Sequence, residues 1–311
     1  LAESVGEWAF YAAALLMALA LIKWFPYRRF VQTHRWISLA YLALALHSVV
    51  LVKFEYWQTP VGGLLAGLIG LGCVAGVMSL LGRRAGGSKV SGRITALEAH
   101  PALNALSIDV QVQPGWPGHQ AGQFAFFTFH PDEGAHPFTL ASAWQPETAC
   151  LRIMVKALGD YTGTLATRLK VGDTVQVEGP YGRFTFAGEA RRQIWVGGGI
   201  GITPFLARLQ ALAAHHDGKA IDLFYATAEH DPALIQRLQH DAKRARVNLH
   251  VLWEPRDGRL DSTRLQTLIP DWRNADVWFC GPAGFGRMLQ EALNAQGLPA
   301  QRFHQEWFEM R

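Results

Sequence analysis

The chain has 311 residues, half of them hydrophobic, three cysteines and a formal net charge of +4. That length predicts two or three domains, and so modest a charge, without long Lys/Arg blocks, excludes a nucleic-acid-binding role. Cys73, Cys150 and Cys280 have no CxxC spacing, which excludes a disulfide or zinc framework and suits a reducing compartment for the polar part of the chain.

The first 84 residues are dominated by apolar runs. Three segments have the composition of membrane helices: about Val5–Phe25, with Lys23 near its end; about Trp36–Val52; and the uncharged residues 61–81, VGGLLAGLIGLGCVAGVMSLL. A helix of 21 residues rises ~31 Å, close to the ~30 Å hydrocarbon core of a bilayer, and the glycines suit close helix packing in lipid. Lys23, Arg28, Arg29 and Arg35 fill the first connection, Lys53 stands almost alone in the second, and Arg83, Arg84 and Lys89 follow the third helix. The positive-inside rule then places the first connection and everything after residue 82 in the cytoplasm of a multi-pass membrane protein. The chain opens on Leu, and its first apolar run is too long and too poorly flanked for a signal peptide, so it reads as a processed or truncated piece.

His34 and His47 are the only histidines before residue 90. An ionisable side chain in a membrane helix is costly and usually functional. Thirteen residues separate the two by ~20 Å along a helix, enough for two stacked haems, but leave the rings ~140° apart around it. Two readings stay open: axial haem ligands on a bent helix or on its different flanks, or one interfacial residue and one helix–helix hydrogen bonder.

RRAGGSK at 83–89 is a basic hinge. After it, SGRITALEA, ALSIDVQV, GQFAFFTF, CLRIMVKA and DTVQVEGP are short strand-like runs between Gly and Pro turns, predicting a small antiparallel barrel over 85–187. Within it, HPFTLAS puts Phe138 in position to flank a planar ring and Thr139 to hydrogen-bond its edge, with Ser142 a short polar neighbour. VKALGDYTGTL offers Lys156 as a cation and Gly159–Thr162 as a turn with backbone donors, a combination suited to a diphosphate.

From 188 to 311 strands and helices alternate, predicting a doubly wound α/β domain with its ligand at the carboxyl ends of the strands. RQIWVGGG ends a strand in glycines, and GITPF opens a helix, so Gly198, Gly199, Ile200 and Gly201 read as a diphosphate loop under a helix N-terminus. Cys280, Gly281 and Pro282 end a later strand, where Cys280 is equally readable as a small buried residue. A 2′-phosphate wants a cation after the second strand. That stretch, FYATAEHDP, has no Arg, which leaves Arg237, Arg256 and Arg259 as candidates.

THRWISLAYLALALH resembles the later haem-ligating helix of the NADPH oxidase and ferric reductase membrane family, and HPFT, GDYT and GPYG (179–182) resemble that family's branch of the ferredoxin–NADP reductase superfamily. The resemblance runs from His34 to Phe308. It implies a multidomain flavocytochrome: transmembrane haem-binding helices (1–84), an FAD-binding barrel (85–187) and an NAD(P)H-binding α/β domain (188–311). It implies that His34 and His47 each ligate a b-type haem whose second ligand comes from helices before Leu1 or from a partner. It further implies that His136, Pro137, Phe138, Thr139, Ser142, Lys156 and Thr162 contact FAD, and that Thr203 and Cys280 lie by the nicotinamide, with Gly281 and Pro282 shaping the loop. Phe308, with Trp307 as the alternative, would cover the flavin face. The implied donor is NADPH, with NADH possible, and the implied acceptor across the bilayer is oxygen or a ferric chelate. Two alternatives stand beside this reading: a haem-free, membrane-anchored flavin reductase, and an electron-transfer subunit of a larger membrane complex.

Overall fold

A computed structural model describes residues 2–22, 33–81 and 88–306. The chain divides into two compact units, residues 1–86 and 87–310, each described by itself.

The first unit is helical: α1 (Ala2–Leu21), α2 (Ile37–Leu51) and α3 (Pro60–Leu80). Thr59 caps α3 by accepting from the Gly62 amide at 3.0 Å, and Pro60 opens the first turn, where a missing N–H costs nothing. Glycines set the packing. A methyl at Gly6 would stand 2.2 Å from Nδ1 of His47, and one at Gly72 would stand 2.0 Å from the Tyr41 hydroxyl, so α2 approaches both neighbours where a side chain is missing. Of the three membrane helices expected, two are long enough to cross a bilayer. The second is a 15-residue helix, rising only ~22 Å, and the Thr33–Trp36 turn leads into it through the Trp36 amide on the Thr33 carbonyl at 3.0 Å. Trp8, Leu15 and Leu21 of α1 and Leu64, Leu68, Leu71 and Val74 of α3 are exposed. Only 17 % and 11 % of the apolar windows of α1 and α3 are buried, unlike the core helices of a water-soluble domain, which bury their apolar stripe. Lys23, Arg28, Arg29, Arg83 and Arg84, which set the expected orientation, lie outside the described residues.

The second unit begins with the expected barrel. Strands β1 (Ser88–His100), β2 (Ala105–Val112), β3 (Phe124–Thr128), β4 (His136–Thr139), β5 (Cys150–Lys156) and β6 (Thr174–Tyr181) form one antiparallel sheet in the order β4-β3-β6-β1-β2-β5. An isolated bridge from Leu140 to Ile153 brings its edges together. Inward-facing residues alternate along the strands, as a half-buried sheet requires: Ile108 and Val110, Ala125 and Phe127, Leu151 and Ile153, Val175 and Val177 form the core. The GDYT stretch, expected as a turn, opens a nine-residue helix, α4 (Asp160–Arg168).

Strands β7 (Arg192–Gly198), β8 (Ala220–Thr227), β9 (Asn248–Trp253), β10 (Asp276–Cys280) and β11 (Phe303–Glu306) make a parallel sheet in the order β11-β10-β7-β8-β9. Its inner strands β7, β8 and β10 read as near-continuous apolar runs because both faces are covered. Trp195, Leu223, Tyr225 and Trp278 pack against α5 (Thr203–Ala214) and α6 (Pro232–Ala245). Ile194, Val196, Phe224, Val277 and Phe279 pack on the other side with α7 (Ser262–Leu268) and α8 (Ala283–Ala295).

Barrel and α/β domain are joined by apolar and polar contacts. Phe186 lies with ring centroids 5.0 Å from Trp195 and 5.2 Å from Trp278. Its φ of 61° is held only because the packed rings hold it. Phe186→Ala is expected to cost about 3–5 kcal/mol, read as a lower urea midpoint; a shift under about 1 kcal/mol would show that these rings do not anchor the junction. A buried polar chain crosses nearby. His100 of β1 has Nε2 2.9 Å from the Ser107 hydroxyl and Nδ1 3.2 Å from Asp231, the N-cap of α6. Nδ1–H donating to the carboxylate, with Nε2 accepting from the hydroxyl, satisfies all three groups.

Candidate cofactor and active site

The nucleotide side is built from glycines. Gly199 has φ +56°, a left-handed conformation that follows β7 directly, and a methyl there would meet nothing within 4 Å. The peptide is therefore open to an approaching ligand, and α5 starts at Thr203 with its amide-rich end behind it. The other glycines face the chain. A methyl at Gly201 would stand 2.2 Å from the Cys280 carbonyl oxygen, one at Gly198 would stand 2.9 Å from Pro282, and one at Gly281 would stand 3.0 Å from the Gly198 backbone. The 198–201 loop and the 280–282 loop thus lie backbone to backbone, which brings together two motifs about 80 residues apart in sequence. Thr203 is buried at the first turn of α5, and Ile200 packs half-buried against the core. Cys280 is fully buried, and desolvation, with the Glu306 carboxylate as a second cause, pushes its thiol well above the ordinary range. It is a neutral thiol, not a nucleophile.

On the barrel side, His136 stacks on Tyr161 with centroids 4.1 Å apart and planes 18° apart. Burial lowers the His136 pKa and raises that of Tyr161 to about 12, so both are neutral hydrogen-bonding groups. Nε2 of His136, the Tyr161 hydroxyl and Oγ1 of Thr139 are buried without a protein partner. Folded chains seldom leave such atoms unmet, and a polar, aromatic ligand of the FAD kind would meet them. The other barrel residues predicted for FAD are placed differently. Phe138 is buried on Phe127 and Phe129 in the barrel core, with centroids 6.1 and 6.3 Å away. Pro137 pairs with Phe126 across β3 and β4. The Ser142 hydroxyl accepts from the Arg152 amide at 3.0 Å. The Thr162 hydroxyl accepts from the Leu158 and Gly159 amides, both at 3.1 Å, closing the first turn of α4. Lys156 is not held in a diphosphate nest; it pairs with Glu229, at the far end of β8, at 2.7 Å.

The residue that sequence reasoning missed is Glu306. It lies opposite Cys280 in the β10–β11 register, and burial pushes its carboxyl up to about 7. One oxygen has no partner; the other lies 3.6 Å from where a Gly182 methyl would stand. Gly182 follows Tyr181, and Tyr181 and Thr139 both pair with Phe124. Glu306 therefore sits where GPYG and HPFT of the barrel meet CGP of the α/β domain. The only signal for it was an acidic residue inside an otherwise uncharged final strand. Trp307 and Phe308, predicted to cover the flavin face, lie outside the described residues.

The cations offered for a 2′-phosphate are all committed. Arg237 forks onto Glu98 of the barrel at 2.8 and 3.2 Å, Arg256 binds Asp257 at 2.8 Å, and Arg259 binds Glu254. In the helical unit, His47 stands over Gly6 and His34 lies in the turn before α2. No group of three or more His, Cys, Asp or Glu suited to a metal occurs among the described residues. An apolar groove of about 730 Å³ between α1 and α2, lined by Trp8, Leu16, Trp36 and Leu39, touches neither histidine. Among the described residues of this unit, His34 and His47 are the histidines.

Residues 92–185 match the FAD-binding domain family and residues 195–291 the oxidoreductase NAD-binding domain family. Together these are the ferredoxin–NADP reductase-like module. The flavohemoprotein of Bordetella pertussis is 32 % identical over 183 residues, which cover 51 % of this chain and 44 % of that protein. The stachydrine N-demethylase reductase subunit of Rhizobium meliloti is 29 % identical over 209 residues, which cover 61 % and 58 %. The chain spans about half the length of the curated relatives it matches. Two solved structures share the fold. The FAD/NAD-binding domain of nitric oxide dioxygenase from Vibrio cholerae has a TM-score of 0.61 at 23 % identity, covering 70 % of this chain and 98 % of that one. The flavohemoglobin of Malassezia yamatoensis has a TM-score of 0.62 at 21 % identity, covering 98 % and 79 %.

Proposed function

We propose that the chain is the reductase part of a membrane electron-transfer enzyme, drawing reducing equivalents from cytoplasmic NAD(P)H through FAD. The observation that carries this reading is the junction of Thr139, Gly182, Cys280 and Glu306, where a flavin-type barrel and a nucleotide-type loop share one buried corner. Bound there, FAD would turn a two-electron donor into single-electron steps. The chain's own groups bind and orient: Gly199 and the α5 N-terminus receive a diphosphate, His136, Tyr161 and Thr139 supply unmet polar atoms, and Glu306 holds a proton near neutral pH. Titrating the full chain, in detergent with FAD, against NADH and NADPH without oxygen tests the reading: bleaching of the flavin by either nucleotide is expected, and neither bleaching it would end the proposal.

The finer proposal is that α1–α3 lie in a bilayer, that His34 and His47 ligate b-type haem with partner ligands from another segment, and that oxygen or a ferric chelate is the final acceptor. It is supported by the exposed apolar faces of α1 and α3 and by the Thr-His…His pattern of the second apolar segment. His47→Leu is expected to remove the haem absorption tied to that residue and leave nucleotide-driven flavin reduction intact. Full porphyrin content in the variant, or none in the parent, would leave the haem-free anchored reductase as the better account. Superoxide formation against ferric reduction then separates the two acceptors.

A further inference from the structure

We infer that Glu229 is the residue that selects between the two nicotinamide nucleotides, and that it selects NADH; the inference rests on the oxidoreductase reading above. The sheet order β10-β7-β8 fixes the direction of a bound dinucleotide. The flavin corner lies at the β10–β11 side, at Cys280 and Glu306, so the reacting ring belongs there. The diphosphate belongs over Gly199, at the end of β7. The adenosine half then falls on the opposite flank, over the end of β8, since β7 and β8 run parallel with Gly198 beside Ala226.

What stands at that end is acidic. Glu229 follows β8 by two residues; its side chain is 35 % exposed, and one oxygen holds Lys156 at 2.7 Å while the other lies 3.5 Å from the Thr227 hydroxyl. The carboxylate is thus fixed and still reachable. A carboxylate within hydrogen-bond reach of a ribose accepts from its 2′- and 3′-hydroxyls. It repels a 2′-phosphate, which carries about two negative charges. Among the described residues, Lys156 is already neutralised by Glu229, and Arg237, Arg256 and Arg259 are each paired with a carboxylate. Asp231, two residues on, adds a second acid, buried as the α6 cap. NADPH, which the family resemblance favours, finds each of these four described cations already paired.

The test uses the full chain with FAD bound. The ratio of kcat/KM for NADH over NADPH is measured in the parent, in Glu229→Gln and in Glu229→Asp, and 5′-AMP is compared with 2′,5′-ADP as a competing ligand. The parent is expected to favour NADH, and 5′-AMP over 2′,5′-ADP, by at least about tenfold; Glu229→Gln should erase most of that preference through KM, and Glu229→Asp should keep it. A parent that prefers NADPH or 2′,5′-ADP, or a Gln variant with the parental ratio, overturns the assignment. Flavin reduction by neither nucleotide is a failure of the oxidoreductase reading itself, and the 5′-AMP comparison still decides the role of Glu229.

Discussion

Gly201→Ala is expected to lower nucleotide-driven flavin reduction by about 100-fold while FAD stays bound. The added carbon would stand 2.2 Å from the Cys280 carbonyl oxygen and 2.8 Å from the Gly281 amide nitrogen. Both neighbours are backbone, so no side chain can rotate out of the way. One of the two loops must move by about an ångström to reach ordinary contact, and a displacement of that size at a reacting centre costs roughly 100-fold. The barrel groups proposed to meet FAD lie on other strands, so flavin content should hold. Gly199→Ala separates clash from strain. A methyl there touches nothing within 4 Å, but the φ of +56° disfavours any side chain, a penalty of about 1–2 kcal/mol borne by the loop. Stopped-flow reduction and flavin content, measured together on both variants, check this. A Gly201→Ala enzyme that reduces its flavin at the parental rate would mean that the 198–201 loop does not position the nucleotide.

This dependence on two loops far apart in sequence marks what could and could not be read from the chain. The strand–helix alternation after residue 188, the glycine-ended strand and the FCGP end of β10 were legible because each is a local pattern with a local cause: buried parallel strands are apolar throughout, and close backbone approach needs glycine. HPFT was legible as an extended segment but not in detail. Alternation along a four-residue strand sends Phe138 to one face and Thr139 to the other, and only the fold shows that the inner face takes Phe138. Lys156 looked like a phosphate cation because its partner lies 73 residues away, in another domain. Arg237 likewise has its partner, Glu98, 139 residues off. Glu306 had no spacing signature at all. A lone carboxyl becomes notable only when its environment is known, and that environment is assembled from β6, β10 and β11. The 15-residue length of α2 likewise depends on where the turn at Thr33–Trp36 tightens, which hydropathy does not report.

Glu306→Gln should remove a pH dependence that the parent carries in both stability and rate. Burial raises the Glu306 carboxyl from 4.5 to about 7, so between those values the folded protein keeps a proton that the unfolded chain has released. The sign follows from linkage: the contribution of this residue is intact below about pH 4.5, declines as pH rises, and is gone above about pH 7. At ~1.4 kcal/mol per pH unit, the shift from 4.5 to about 7 corresponds to roughly 3 kcal/mol. The amide keeps the shape and cannot ionise. The variant should therefore gain stability on the parent between about pH 5 and pH 8, by up to that amount, in urea titrations followed by intrinsic fluorescence. The same exchange should flatten any bend near neutral pH in the rate of flavin reduction, because the group that holds the proton beside Cys280 no longer titrates. Parent and variant with parallel stability curves across that window would show that Glu306 is solvated in the working protein and that the corner between barrel and α/β domain is open to water.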